Sequence, residues 1–330
     1  MKCTACSSVF FSVCILVGSG GAAAAQANAD YPTRPLRMIV PFSPGGASDI
    51  IGRIIVLSGL NEELGQQIVV DNRAGANGNI GAQIAASADP DGYTFLFGSA
   101  GVMSINPSLY VSSNLKPTRD FIAVTQVADI PGTLVVHPSV PVTSVAQLIN
   151  YAKAHPGKLN FGSSGTGSLN QLQMELFMRA ADIKMVHVPF KGGGPAAIAL
   201  LANQVQVYLS TLSTSLPYVK GGRLRILSVI APQRRPEFPD VPTLAESGFP
   251  SMTTGTWQGL FFPRGTPRTI VDRLYGATVK VLERAEVKRG VASAGGEVVI
   301  SKSPEAFTAF VGSETERWAK LVKDVGLVAK

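Results

Sequence analysis

The sequence predicts an α/β fold of two similar domains, each a mainly parallel β-sheet flanked by helices, with a cleft between them. Short apolar runs typical of buried strands alternate with helical patterns along most of the chain. A strand, a glycine-rich loop and a helix follow one another in each half, at 36–56 and at 158–180. Helix N-termini in such folds point to the carboxyl ends of the strands. We therefore expect both loops to face one cleft.

Strands and helices alternate through the first third of the chain. Residues 36–41 are predicted as a buried strand, and a helix begins near Ser48 with Asp49 in its first turn. The strand QIVVDN precedes a glycine loop and a helix at 80–88. The segment ADPDGYTFLFGS then predicts a turn and a third strand.

The middle third begins with a strand at 133–136 and a helix at 145–154. MVHVPF, VQVYLST and LRILSVIA supply further strands, and the proline-rich segment 232–250 is predicted as a surface connection between the halves. The strand WQGLFFP and helices near 266–285 and 304–325 complete the chain. The predicted domains are 30–130 plus 251–330 for domain 1, and 131–250 for domain 2.

Residues 1–29 have the pattern of a secretory signal peptide. Lys2 precedes an apolar run at 9–17, and small residues follow up to Ala27 and Ala29, after either of which cleavage fits. The apolar run is too short to span a bilayer. An uncleaved anchor is the alternative, but we expect export of the chain to the periplasm.

Composition excludes several classes of protein. Cys3, Cys6 and Cys14 all lie in the predicted signal peptide, so the mature chain is expected to lack disulfides, thiolate nucleophiles and cysteine-bound metals. With 45% hydrophobic and 15% charged residues, the chain has ample material for a buried core. The formal charge is +7, but the basic residues form no stripe, which argues against a nucleic-acid partner. Diffuse positive charge favours encounters with anions.

The two glycine-rich loops predict an anion site built from neutral donors. The loop at 41–49 offers main-chain N–H groups from Gly45 to Ser48, and glycine lets a ligand approach them closely. The loop at 162–170 has the glycine spacing of a phosphate loop, but Ser168 stands where the phosphate-binding lysine is required. Such a loop suits a carboxylate. A tight turn that binds nothing remains the alternative for the first loop.

Other motifs are ambiguous or missing. Packing explains the glycines of RAGANGNIGA as well as ligand contact does, and Lys191 in VPFKGGGPAA is either an anion contact or a solvated lysine. His137, His155 and His187 form no metal motif, and the pattern Gly-x-Ser-x-Gly is absent. We therefore expect no enzyme activity, no metal and no cofactor, with a secreted α/β hydrolase as the alternative.

Eight segments carry a resemblance to a known family. In order they are YPTRPLRMIVPFSPGGASD, GQQIVVDNRAGANGNIGA, DPDGYTFLFGS, LVVHPSVPV, HPGKLNFGSSGTGS, VHVPFKGGGPA, PDVPTLAESGFP and PRGTPRTIVDRL. Together they resemble the substrate-binding proteins of tripartite tricarboxylate transporters, the TctC-like or Bug (Bordetella uptake gene) family. The resemblance covers about residues 31–325.

The resemblance implies a periplasmic-binding-protein-like fold, in which two α/β domains joined by crossing strands close around a small carboxylate. It also implies delivery to membrane transporter subunits of the tripartite tricarboxylate type, or a sensing role towards a receptor kinase. We expect a monomer. In relatives, the loops matching 42–49 and 162–168 hold ligand carboxylates through amides, hydroxyls and bridging waters. The candidate ligand-binding residues are Phe42, Ser43, Gly45, Gly46, Ala47, Ser48, Asp49, Ser99, Ser163, Ser164, Thr166, Gly167, Ser168, Phe190, Lys191, Ser210, Thr211 and Trp257.

One departure from the family bears on the ligand. Relatives that bind amino acids often show an aspartate pattern like QVDLMFDN where this chain reads QVQVYLST, so Gln206 and Ser210 replace two acidic residues. A buried α-ammonium group needs an acidic partner. We therefore expect a dicarboxylate or an aromatic carboxylate such as terephthalate in preference to an amino acid. Four aromatic residues could either contact an aromatic ring of the ligand or belong to the core: Phe42, Phe190, Tyr208 and Trp257.

Overall fold

The computed structural model describes residues 31–110, 113–252 and 255–325, whose strands form two sheets. The predicted signal peptide lies outside these residues. The strands of the first sheet are β1 (Leu36–Val40), β2 (Ile68–Asn72), β3 (Thr94–Ser99), β4 (Phe121–Ile130), β10 (Thr256–Pro263) and β11 (Glu297–Val298). Their spatial order is β11-β4-β10-β3-β1-β2.

The second sheet takes its strands from the middle of the chain. They are β5 (Gly132–Val136), β6 (Asn160–Ser163), β7 (Val186–Pro189), β8 (Val207–Thr211) and β9 (Arg225–Ile230). Their spatial order is β7-β6-β8-β5-β9. We call the first sheet with its helices the first lobe, and the second sheet with its helices the second lobe.

Helices cover the faces of both sheets. They are α1 (Ala47–Ile55), α2 (Asn61–Leu64), α3 (Asn79–Ala86), α4 (Asn106–Leu109), α5 (Pro117–Asp120), α6 (Val145–Ala154), α7 (Leu169–Ala181), α8 (Gly193–Leu201), α9 (Leu212–Lys220), α10 (Arg268–Glu283), α11 (Ala285–Ser293) and α12 (Pro304–Val325). The helices predicted at 145–154 and 304–325 have the expected bounds. The helix predicted at 266–285 is shorter, because Pro267 precedes it and Arg284 is extended. No helix in the described ranges is long and apolar enough to span a membrane.

The predicted α/β fold of two sheets flanked by helices is confirmed, but both sheets are mixed and not mainly parallel. The pairs β1–β2, β1–β3, β6–β7 and β6–β8 are parallel, as strand–helix–strand units require. In contrast, β10 is antiparallel to β3 and β4, and β5 is antiparallel to β8 and β9. The reason is the path of the chain: β4 runs into β5 through Pro131 alone, and β10 returns from the second lobe, so neither follows a helical crossover.

The two connections between the lobes pass side by side. Pro131 joins β4 to β5, and Gly255 leads back into β10. A Cβ atom at Gly255 would overlap the main-chain carbonyl of Ile130, so only glycine allows this close crossing. The strands of the two sheets thus divide at about the places where the domains were predicted to meet, and the exact domain borders stay a prediction.

Each lobe has its own core, and the proline-rich connection contributes to one of them. Leu244 and Phe249, both within 232–250, are buried in the core of the second lobe. The Phe249 ring lies 4.8 Å from that of Phe177 on α7. The prediction of a surface connection is therefore wrong for these side chains, because their apolar area is removed from water against α7.

A further apolar cluster joins the lobes beside the cleft. Leu169 and Leu172 of α7 pack with Ile105, Leu109 and Trp318 of the first lobe. The C-terminal helix α12 therefore supports the start of α7 from across the cleft. Relative movement of the lobes must rearrange this cluster.

Candidate functional site

A cavity lies between the lobes at the carboxyl ends of the parallel strands. It encloses about 560 Å³, its open mouth included. Its walls are formed by Phe42, Gly46, Ala47, Ser48, Asn77, Ser99, Gly101, Ser164, Leu169, Asn170, Gly193, Tyr208, Thr211, Thr214, Thr256 and Gln258. None of these described lining residues carries a charge, and hydroxyl and amide side chains predominate. We call this space the main cavity.

Four helices of the described chain begin at the wall of the main cavity. They are α1, α7, α8 and α9. The first residues of α1, α7 and α8 line the cavity, as does Thr211, which directly precedes α9. The N-terminus of a helix carries a partial positive charge and main-chain N–H groups without helical partners. Convergence of these ends makes the cavity favourable for an anion although no lining side chain is basic.

The helices differ in whether side chains already cap these N–H groups. Ser168 caps α7, since its Oγ accepts a hydrogen bond from the main-chain N–H of Gln171 at 3.3 Å. The residues preceding α1, α8 and α9 are Gly46, Gly192 and Thr211, and no side-chain cap hydrogen bond is formed there. The first turns of these three helices therefore keep donors available for a ligand.

Tyr208 and Phe42 give the main cavity its larger apolar surfaces. Tyr208 is almost fully buried on β8, and burial raises the pKa of its phenol above the usual value. The hydroxyl group therefore stays protonated at neutral pH and remains a hydrogen-bond donor. Both rings suit the carbon skeleton of a ligand whose acid group contacts the helix ends.

A second, outer cavity adjoins the main one and shares Phe42, Asn77 and Ser164 with it. It encloses about 590 Å³. The other residues of its walls are Gly75, Ala76, Gly78, Tyr110, Gly165, Thr166, Pro189, Phe190 and Lys191. Lys191 supplies a positive charge here, outside the main cavity.

Loops of the two lobes touch above the cavities. Ser43 Oγ donates to the carbonyl of Lys191 at 2.6 Å, and Asn77 Nδ2 donates to the carbonyl of Gly167 at 3.0 Å. The Tyr110 hydroxyl donates to the carbonyl of Thr166. The structure therefore shows the lobes in a closed arrangement, with main-chain carbonyls of the second lobe held by side chains of the first.

The structure brings most of the predicted residues to the cleft. Those that line the main cavity are Phe42, Gly46, Ala47, Ser48, Ser99, Ser164 and Thr211. Phe42 and Ser164 also line the outer cavity, together with Thr166, Phe190 and Lys191. The remaining predicted residues, Ser43, Gly45, Asp49, Ser163, Gly167, Ser168, Ser210 and Trp257, line neither cavity. The list as a whole stays a prediction of ligand contacts.

Asp49 supports the first loop from behind. Its Oδ2 accepts the main-chain N–H of Gly45 at 3.0 Å, and its Oδ1 accepts from Arg53 Nε at 2.8 Å. This carboxylate is buried and paired, so it shapes the loop at 43–46 while its charge is balanced by Arg53. The second loop has similar support, because Gly167 donates its N–H to Gln171 Oε1 at 2.7 Å.

Ser163 and His187 form a contact that supports the loop. Ser163 Oγ donates to the carbonyl of Gly165 at 3.0 Å and lies 2.7 Å from His187 Nε2. Ser163 is 0% exposed and lines neither cavity, so its hydroxyl is not placed to attack a bound ligand.

The partial burial of His187 makes stability depend on pH. Burial lowers the pKa of His187 below its usual value of 6.5. Below pH 6.5 the unfolded chain therefore binds a proton that the folded chain resists, so this contribution to stability is complete above that pH and is lost as pH falls through the folded pKa.

We expect the free energy of unfolding to fall more steeply from pH 7.5 to 5 in the native chain than in His187→Gln. Glutamine keeps a donor near the Nε2 position without titrating. Urea unfolding at both pH values measures the difference. Parallel pH dependences would show that the half-buried imidazole contributes nothing to the pH dependence of stability.

Trp257, Gln206 and Ser210 lie outside the walls of both cavities. Trp257 is 4% exposed and packs against Phe307 in the core of the first lobe, because side chains alternate along β10 and only its neighbours face the cavity. Gln206 and Ser210, whose lack of charge argued against amino acids, line neither cavity. The Gln206 amide instead contacts the main chain of Asn160.

Several residues that line the main cavity were not predicted from the sequence. They are Asn77, Gly101, Leu169, Asn170, Gly193, Thr214, Thr256 and Gln258. Tyr208 was predicted to lie either in the wall or in the core. Signals existed for some of them: Asn77 lies in a glycine loop, and Thr214 lies one helical turn from Thr211. Gln258 follows Trp257 on β10, so its side chain lies on the opposite face of the strand. Assigning that opposite face to the cavity would have predicted Gln258 as a lining residue. Across the described residues, His, Cys, Asp and Glu form no group of three that could hold a metal.

Comparisons with known proteins agree with this architecture. The family model of the tripartite tricarboxylate transporter family receptor, TctC, matches residues 52–327. BugT of Bordetella pertussis is 35% identical over 317 residues, which cover 96% of this chain and 97% of BugT.

Solved structures are similar over nearly their whole length. The periplasmic binding protein BugD has a TM-score of 0.87 and 32% identity, covering 91% of this chain and 100% of that one. Rpa4515 of R. palustris, solved with adipate, has a TM-score of 0.87 and 36% identity, with coverage of 91% and 100%. MatC of Rhodopseudomonas palustris, with bound malate, has a TM-score of 0.83 and 31% identity, with coverage of 88% and 100%. The chain is therefore a solute-binding protein of the tripartite tricarboxylate transporter receptor (TctC/Bug) family.

Proposed function

We propose that the chain is a periplasmic receptor that captures one small carboxylate by closure of the two lobes and delivers it to a tripartite tricarboxylate-type membrane transporter. One observation carries the proposal: four helix N-termini converge on a cavity whose described lining contains no charged side chain. Such a site binds a carboxylate through main-chain amides and hydroxyls.

The lining also supports a ligand without an ammonium group. A buried ammonium needs a carboxylate partner, and none belongs to the described walls of the main cavity. Asp49, the nearest acid in the sequence of the first loop, is already paired with Arg53. The adipate and malate in the structures of Rpa4515 and MatC are likewise carboxylates without an amino group. We propose a dicarboxylate or an aromatic carboxylate as the ligand, in preference to an amino acid.

A thermal-shift panel tests this function on the purified mature protein. The panel contains citrate, succinate, adipate, malate, glutamate, nicotinate, benzoate, phthalate and terephthalate. A ligand that binds only the folded state at about 100 times its Kd adds roughly 2.7 kcal/mol to stability. We expect a clear rise in Tm with one class of acid and none with glutamate.

Recovery of the ligand separates a receptor from an enzyme. After overnight incubation, a receptor returns the acid unchanged in its NMR spectrum, whereas a hydrolase consumes an ester or amide derivative of it. A panel in which no carboxylate raises Tm, or in which glutamate raises it most, would overturn the proposed ligand class.

A further inference from the structure

Gln258 has a buried acceptor atom that the protein leaves without a partner. The residue is 1% exposed and lies on β10 between β3 and β4. Its Nε2 donates to Ser48 Oγ at 3.1 Å, while its Oε1 accepts no hydrogen bond from any described residue. Both Gln258 and Ser48 line the main cavity. An unpaired buried acceptor is unfavourable, so this oxygen is set for a donor arriving in the cavity.

The contact with Ser48 assigns opposite roles to two neighbouring groups. Because Ser48 Oγ accepts from the Gln258 amide, its own hydrogen stays free to donate to an acceptor in the cavity. Gln258 Oε1, in the same amide group, needs a donor. The pair therefore presents one donor and one acceptor side by side at the N-terminus of α1.

We infer that Gln258 selects carboxylates that carry a hydroxyl group next to the acid group. The carboxylate of such a ligand accepts from Ser48 and the first turn of α1, and its hydroxyl donates to Gln258 Oε1. An ammonium group in the same place would also donate, but the described cavity lining has no acid to balance its charge. The inference rests on the proposed function, and names the class of acid that the site prefers.

Pairs of acids that differ by one hydroxyl test the inference. Malate (each enantiomer) is compared with succinate, citrate with tricarballylate, and mandelate with phenylacetate, by isothermal titration calorimetry. A site built to bind a hydroxyl rejects the analogue that leaves its polar group unpaired. We expect the hydroxylated member of the bound pair to bind at least about tenfold more tightly.

Two variants assign the preference to Gln258. Gln258→Met keeps the length of the side chain without its hydrogen-bonding groups, and should bring the ratio of the two Kd values to about one. Gln83→Met on α3 is the matched control: it makes the same substitution at a residue that lines neither cavity, and should leave the ratio unchanged. If Gln258→Met does not fold, equal affinities for the two members of a pair in the native chain still overturn the inference.

The outcomes separate the inference from the function on which it rests. Equal affinities within each pair, or a ratio that survives Gln258→Met, would overturn the role of Gln258 while leaving a carboxylate receptor in place. Failure of every acid in every pair, together with a silent thermal-shift panel, would overturn the proposed function itself.

Discussion

Ser48→Asp should weaken carboxylate binding at least about 30-fold, because it places a negative charge where the ligand's charge belongs. Ser48 lies in the first turn of α1, lines the main cavity and is 5% exposed. Two charges 4 Å apart repel by about 4 kcal/mol at an effective dielectric constant of 20. Half of that repulsion, about 2 kcal/mol, is already roughly 30-fold in Kd.

Ser48→Asn is the matched control for this experiment. Asparagine has the shape of aspartate without its charge, so it measures the effect of size and of the lost hydroxyl alone. Calorimetry on both variants with the ligand found by the thermal-shift panel gives the comparison, and circular dichroism checks that both fold. Equal losses in the two variants would mean that the main cavity does not hold the ligand's negative charge.

Gly194→Ala should weaken binding roughly 5- to 150-fold by preventing the lobes from closing. Its added Cβ would overlap the carbonyl oxygen of Pro44 and lie 3.1 Å from the carbonyl carbon of Gly45. Both are main-chain atoms of the opposite lobe, which cannot move aside as a flexible side chain would. Overpacking of this kind costs about 1–3 kcal/mol, which corresponds to that range of affinity.

The clash at Gly194 arises only between the lobes, so each lobe should fold normally. Alanine is favoured over glycine inside a helix, and Gly194 is the second residue of α8. Gly276→Ala on α10 is the control, because its Cβ meets nothing within 4 Å. Small-angle scattering should show an open Gly194→Ala protein with ligand present, and a closed control. Native affinity in Gly194→Ala would show that contact between the loops at 43–46 and 192–194 is not needed for binding.

Local sequence patterns were sufficient to predict most strands and helices and the two glycine-rich loops at 41–49 and 162–170. Alternating apolar runs and glycine turns predicted the strands and helices, since both depend on residues close in the chain. The absence of a lysine from the loop at 162–170 already indicated neutral donors. Both loops do reach the main cavity, through Gly46, Ala47, Ser48 and Ser164.

Contacts between residues distant in the sequence decide which side chains line the main cavity. The sequence shows that Trp257 and Gln258 face opposite ways, but the packing of α12 against β4 and β10 decides which way the core lies. Trp257 therefore enters the core with Phe307, and Gln258 faces the main cavity. Likewise, the direction of β5 and β10 follows from the crossing at Pro131, which leaves no periodic signal in the sequence.

Convergence of the four helix N-termini is also a tertiary feature. Each of α1, α7, α8 and α9 begins at a local signal, such as Gly46, Ser168 or Gly192. Only the arrangement of the two sheets brings these starts, 165 residues apart from Gly46 to Thr211, to one cavity. The chemistry of each donor is thus local, whereas the proposed anion site depends on long-range packing, which sums their partial charges at one place.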